Sequence, residues 1–285
     1  MPMPVLKIEA ETIAEAWERA VLEVWNNGVN KATQYERAGE HALQQSRAAT
    51  VVVVAKNPLK EPRIHAGDLT GQQSIINGYI DELVKGTKDS YIGRGWDYTY
   101  HERLFRYYVP QSGSIDQIRE CLLEGMRKGD HFSRRLQAVT WQAWKDAGSK
   151  SPPCLQRLWI SVPTADSALQ PGRTYGIDVQ TCWRSRDLFD AWEANVNGIV
   201  ELVREEIVEV LNEELRSKGI TYELGQYVDF SNDLHIYEKD YVDVRRFISA
   251  LESKRSLGRT PEQIRIGPTF ERLIEIGRSR RVDRS

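Results

Sequence analysis

The sequence has no long apolar run. Its longest, around Val51 to Ala55, is about five residues, against the ~20 that a bilayer span needs. Cysteine is scarce: Cys121, Cys154 and Cys182 lie too far apart for a CxxC metal knuckle, and three cannot form a disulfide framework. No metal is expected, and a reduced, cytoplasmic setting is. Neither sign of charge dominates, since 39 Lys and Arg face 41 Asp and Glu for a net charge of −2. No global basic field therefore argues for DNA or an anionic membrane surface. The first residues show no charged segment followed by an apolar one, so no secretory signal is expected. General disorder is excluded as well, because 40% of the 285 residues are apolar and the 28% that are charged nearly balance.

Helical and strand periods alternate along the chain without a convincing linker. Thr12-x-x-Glu15 is a capping box, followed by a 3.6-residue stripe of Ile13, Trp17, Ala20, Val21, Val24 and Trp25 that Gly28 ends. Val51–Ala55 reads as a buried strand. A second helix is expected from about Gln72 to Lys85 with Gly86 just past its end, and a third from Ser114-x-x-Gln117 to Lys128. Short strands are expected around 136–141, 155–162, 175–184 and 222–237. The longest helix is expected from Asn195 to Lys218, and the Arg-rich tail from Lys254 is expected to be partly disordered. This is an α+β pattern, read as a single domain over 1–250 with a polar extension over 251–285.

Chemistry concentrates at Cys154. Pro152 and Pro153 stiffen the approach to it, and the alternating stretch Leu155 to Val162 follows. A lone cysteine is most often a small buried apolar side chain. To act as a nucleophile it needs cationic neighbours, because a free thiol is only a few per cent ionised near neutral pH. Two arginine clusters are present, Ser133-Arg134-Arg135 and Arg184-Ser185-Arg186-Asp187. Such clusters are usually solvated, but arginine also forks onto phosphate oxygens. Together these residue types point to chemistry on a nucleotide.

Their order along the chain resembles the thymidylate synthase family. The pieces run Ser133-Arg134-Arg135, Thr140-Trp141, Pro152-Pro153-Cys154, Arg184-Ser185-Arg186-Asp187, Asn195, and Asp233-Leu234-His235-Ile236-Tyr237. Upstream, Tyr98 to Leu104 and Ile115-Asp116-Gln117-Ile118 are similar to further stretches of the family. Ala16 to Ala20 and Asn57 to Ile64 resemble its divergent archaeal-type branch. The resemblance covers roughly residues 10 to 245. It implies a central mixed or antiparallel sheet flanked by helices, and a homodimer joined through that sheet.

The resemblance also implies a role for each matching residue. Cys154 would attack C6 of the pyrimidine. Arg184 and Ser185 would hold the 5′-phosphate, with Arg134 and Arg135 reaching in from a second subunit. Arg37 is similar to an early phosphate-binding arginine, although the family's Gly-rich loop there is absent. His235 and Tyr237 would bind the sugar hydroxyl, Asp187 would contact the pterin, and Tyr100 would assist proton removal from C5. Glu82 or its neighbour Asp81 would be the catalytic carboxylate. Asn195 would read the base, since one amide donor and one acceptor match uracil O4 and N3–H, although a helix N-terminal cap is its plain structural alternative. Departures are Leu155 where many members carry His, Trp183 where Gln is common, and Tyr100-His101 where the family has Tyr-Gly. The short apolar closing segment at the C-terminus is missing.

The implied activity is transfer of a one-carbon unit from 5,10-methylenetetrahydrofolate, or a related pterin, to C5 of dUMP. One rival is a pyrimidine-nucleotide 5-hydroxymethylase that shares the adduct but finishes with water. Another is a non-catalytic nucleotide- or RNA-binding relative that keeps the arginines.

Overall fold

Thr12 opens the first helix as its sequence context predicts. Its hydroxyl accepts the Glu15 N–H at 3.2 Å, and the Gly28 N–H closes the far end onto the Val24 carbonyl. The computed structural model in which this is seen describes residues 2–36, 43–128 and 132–282. The strands are β1 (Val5–Ala10), β2 (Val29–Glu36), β3 (Leu43–Ala55), β4 (Tyr107–Val109), β5 (Gly113–Ile115), β6 (Gln137–Val139), β7 (Leu155–Ser161), β8 (Thr174–Trp183), β9 (Arg186–Asp187) and β10 (Thr221–Tyr237). The helices are α1 (Ile13–Asn27), α2 (Leu69–Ile76), α3 (Tyr79–Lys85), α4 (Tyr100–Phe105), α5 (Glu124–Arg127), α6 (Ala143–Asp146), α7 (Trp192–Val203), α8 (Glu209–Leu215), α9 (Tyr241–Ser256), α10 (Pro261–Arg265) and α11 (Phe270–Val282).

The fold is α+β, with mixed sheet pairing and flanking helices. It divides into two compact units. The first comprises residues 1–78, 184–196 and 229–285, and the second 79–183 and 197–228.

In the first unit the strand order is β1-β3-β10, with β2 also on β3 and β9 on β10. β1 runs parallel to β3 and β9 parallel to β10, whereas β2 and β3 are antiparallel. The apolar face of α1 covers β3, burying Ile13, Trp17, Ala20, Val21 and Val24 with Val51, Val53 and Ala55. In the second unit the order is β6-β7-β8-β10, with antiparallel pairing along β6-β7-β8, and β4-β5 forms a separate hairpin. Alternation puts Leu155, Leu158 and Ile160 of β7 and Ile177 and Val179 of β8 in its core.

Four expectations differ. The helix expected from Gln72 to Lys85 is two, α2 and α3, because Gly78 takes a φ of 91° that a continuing helix cannot use. Ser114 does not open the third helix. It lies in the β4-β5 hairpin, and Asp116 caps instead, its carboxylate accepting the Arg119 N–H at 3.0 Å. The helix expected from Asn195 to Lys218 begins at Trp192 as α7 and, past a π-helical stretch at Arg204–Val208, continues as α8; Asn195 therefore sits inside the first turn of α7, with its N–H on the Ala191 carbonyl, and is not the cap. Among the described residues the tail carries the helices α9, α10 and α11 where partial disorder was expected. Arg265 fixes it by donating to the buried Glu18 carboxylate of α1 at 3.1 and 3.2 Å.

Candidate active site

Cys154 leads directly into β7, is half-buried and forms no disulfide. The residue after it, Leu155, donates its N–H to the Tyr100 hydroxyl at 3.3 Å, which ties α4 to the cysteine segment. Tyr100 lies edge-on to Tyr98 and Trp183, at 5.5 and 5.9 Å between ring centroids. Burial, reinforced by Tyr98, Cys154 and Tyr79, holds its phenol well above the ordinary range, so it keeps its proton. α4 is fixed from below by Arg103, which is fully buried. Its guanidinium forks onto Asp146 at 2.7 and 2.9 Å and donates to the Thr140 carbonyl at 3.0 Å.

The family departures in this unit have local reasons. Leu155 is fully buried in the core, where an imidazole would need a partner, and Trp183 forms one wall beside Tyr100. His101 stacks on Phe105 at 4.5 Å and meets Asp89 at 2.7 Å. Glu82 pairs with Lys88 at 2.9 Å and Asp81 with Lys85 at 3.0 Å, so both candidate carboxylates are engaged by lysines. Arg134 and Arg135 have exposed side chains ahead of β6. Of the other cysteines, Cys182 is on β8 with its sulfur 3.5 Å from the Arg157 guanidinium, and Cys121 is on the helical stretch before α5.

The first unit holds a second group of candidates. β9 lies parallel to β10 with Asp187 opposite His235, and the Leu188 N–H reaches the His235 carbonyl at 2.8 Å. His235 is only 4% exposed, and its ring meets that of Tyr237 at 4.5 Å. The Asp233 carboxylate lies 3.0 Å from Nδ1, and Lys31 pairs with Asp233 in turn. Because that carboxylate only accepts, Nδ1 is the donor in this contact. Nε2 has no hydrogen-bond partner among the described residues. Burial alone would raise the Asp233 carboxyl, but His235 and Lys31 outweigh it and hold it below the usual range.

Asp187 turns its Oδ1 to the N–H groups of Phe189 and Asp190, both at 3.1 Å. Burial raises its pKa. Asp190 and Asp240 lie close by, and Lys239 pairs with both. Arg184 and Ser185 are half-buried at the start of this segment. Arg186, between Ser185 and Asp187, is buried and ion-paired with Asp229, so it builds the scaffold instead of facing a ligand. Arg37 lies outside the described residues.

The chain is 25% identical over 244 residues to a protein of Methanosarcina mazei provisionally named thymidylate synthase, covering 86% of this chain and 95% of that one. It is 26% identical over 250 residues to a Methanothermobacter thermautotrophicus protein of the same name, covering 85% and 97%. A Methanopyrus kandleri protein, again so named, is 24% identical over 239 residues, covering 84% and 96%. No sequence-family profile matches the chain.

Over most of its length the chain is thus similar to proteins named as thymidylate synthases, at the distance of a divergent relative. Within that family frame, the structure brings Cys154 and Tyr100 together in the second unit, and Asp187, His235 and Tyr237 in the first. Sequence reasoning missed Asp233 and Lys31, which set the His235 tautomer, although Asp233 stood two residues away in the quoted motif. It also missed Asp68, which hydrogen-bonds Glu193 on α7. No spacing joins those two, since they sit on separate elements.

Among the described residues no helix is long and apolar enough to cross a membrane.

Proposed function

We propose that the chain is a thymidylate synthase-type transferase acting on dUMP with 5,10-methylenetetrahydrofolate, giving dTMP and dihydrofolate. The observation that carries this reading is the pairing of the Cys154 segment with the Tyr100 hydroxyl. In this reading the Cys154 thiolate forms a bond to C6 of the uracil ring. The displaced electron pair moves to O4, where the developing negative charge needs a fixed donor. The Asn195 amide supplies that donor and accepts from N3–H. C5 thereby becomes nucleophilic, and its proton later leaves by way of Tyr100, which accepts a proton only as it hands on its own. Loss of the C6–S bond restores the thiolate.

His235 presents its Nε2, which has no partner among the described residues, in a buried place, which suits the hydroxyl of a nucleotide sugar. Arg184 and Ser185 bind the 5′-phosphate, completed by Arg134 and Arg135 of a second subunit in an isologous dimer. The Asp187 carboxylate, an acceptor whose orientation two backbone N–H groups fix, fits the N–H edge of a pterin. The folate supplies the one-carbon unit and the hydride.

The test is mass analysis of the product formed from dUMP and from dCMP with methylenetetrahydrofolate. A methylated uracil nucleotide is the expected product. A hydroxymethylated base, or turnover of dCMP in preference to dUMP, replaces this reading with the hydroxymethylase. Absence of both product and covalent trapping by a 5-fluoro nucleotide replaces it with a non-catalytic binding protein.

A further inference from the structure

Glu193 lies two residues before Asn195 in the first turn of α7 and is completely buried. Residues two apart on a helix point to nearly opposite sides, so what holds Glu193 fixes the turn from behind Asn195. The Glu193 carboxyl oxygens lie 3.0 and 3.1 Å from the backbone N–H of His65. The same carboxyl hydrogen-bonds Asp68, which is 3% exposed and also accepts the Gly71 N–H at 2.7 Å at the start of α2.

The segment that carries His65 and Asp68 is itself held at several points. His65 Nε2 meets Glu18 at 3.1 Å, and the Ala66 N–H reaches the Arg265 carbonyl at 3.0 Å. The Arg63 guanidinium lies 3.8 Å from the Phe270 ring centroid, and the Phe270 N–H donates to Glu61 at 2.9 Å. The first turn of α7 is therefore fastened to a frame that the C-terminal helices complete.

Two buried carboxyls in contact share one proton, because burial penalises a second charge. Burial raises both: Glu193 well above the usual carboxyl range, and Asp68 to about 6. The hydrogen bond raises Glu193 and lowers Asp68, so the proton resides on Glu193. Asp187 and Asp190 add negative charge facing Asp68. Apolar side chains would fill this space without the cost of burying acids. What a hydrogen-bonded pair adds is direction.

We propose that the Asp68–Glu193 pair is a positioning device that sets the first turn of α7, and with it the Asn195 amide, so that the amide meets uracil in preference to cytosine. This rests on the reading of Asn195 as the base reader.

The test measures dissociation constants of dUMP and dCMP calorimetrically for the full-length protein, with thermal melts to establish folding. Glu193→Gln, whose amide donates to Asp68 as the protonated acid does, should keep the wild-type ratio of the two constants at pH 7. Glu193→Ala should reduce the ratio about tenfold. As pH rises and Glu193 ionises, the ratio should fall further in wild type than in Glu193→Gln; loss of the uracil proton contributes equally to both. Asn195→Asp is the control for the underlying reading. A ratio that shifts in Asn195→Asp but is unchanged in Glu193→Ala, with identical pH profiles for wild type and Glu193→Gln, overturns the positioning role alone. A ratio unchanged in Asn195→Asp overturns the Asn195 reading and the proposal with it. If Glu193→Ala fails to fold, the pH comparison decides.

Discussion

Arg186 and Asp229 form an ion pair in which both side chains are sealed from solvent, and the same guanidinium donates to the Trp192 carbonyl at 3.2 Å. One residue of the arginine motif is thus spent on the scaffold, and the proposed phosphate role falls to Arg184. Removing one partner of such a pair leaves an unpaired buried charge and costs about 3–5 kcal/mol. Arg186→Ala should therefore lose about that much in urea unfolding, whereas Arg184→Ala should unfold close to wild type and lose nucleotide affinity. Equal destabilisation by both variants would contradict the division.

Cys154→Ala should abolish turnover and leave dUMP binding nearly unchanged, because the thiol makes its bond only during reaction. Cys121→Ala and Cys182→Ala should stay active. Steady-state assays beside binding isotherms decide, and activity surviving in Cys154→Ala would remove the nucleophile assignment.

His235→Ala should weaken dUMP binding through the lost sugar contact, by roughly 1–2 kcal/mol. The loss should largely vanish with a nucleotide lacking the 3′-hydroxyl. Asp233→Asn should reproduce part of it, since an amide can donate to the ring and release the tautomer. If His235→Ala weakens both nucleotides equally, the sugar assignment is wrong.

Acid stability should depend on Glu18. Burial would raise its carboxyl, but His65 and Arg265 outweigh that and lower it to about 2. A depressed folded-state pKa gives stability that is full above the ordinary carboxyl range and lost as pH falls toward the folded value. The shift corresponds to about 3 kcal/mol. Glu18→Gln should remove that contribution at pH 7 and flatten the fall in melting temperature between about pH 5 and pH 2. An unchanged acid limb would show that other carboxylates govern it.

If the site is shared across a dimer as proposed, inactive Arg135→Ala and inactive Cys154→Ala subunits, once exchanged, should recover part of the activity. Proven subunit exchange without recovery would place both arginines outside the site.

What the sequence made legible was local. The Thr12 cap, the α1 stripe, the Val51–Ala55 strand and the alternation of β7 all follow from side-chain period and capping chemistry, which act within a few residues. The break at Gly78 was missed because the apolar stripe continues across it, and a glycine inside a helical stripe reads equally well as tolerated. The start of α7 was missed because Asn195 resembles a cap, while the true first turn contains Trp192 and Glu193, neither a good capping residue. Order along the chain carried the Cys154, Arg184 and His235 motifs. It could not reveal Asp68–Glu193, Arg186–Asp229 or Glu18–Arg265, since a buried charge pair leaves no periodic trace when its members lie on separate elements.

The Glu18–Arg265 contact also bears on how the chain is made. Glu18 is synthesised near the beginning and its buried cation near the end, and the first unit needs residues 1–78, 184–196 and 229–285 all at once. The second unit has its last strand by residue 228. On the ribosome, then, the second unit can close while α1 still carries an acid without its arginine. A nascent chain stalled where residue 228 has cleared the exit tunnel but Arg265 has not should protect the second unit from protease and leave α1 open to cleavage, with protection of α1 arriving only when Arg265 has emerged.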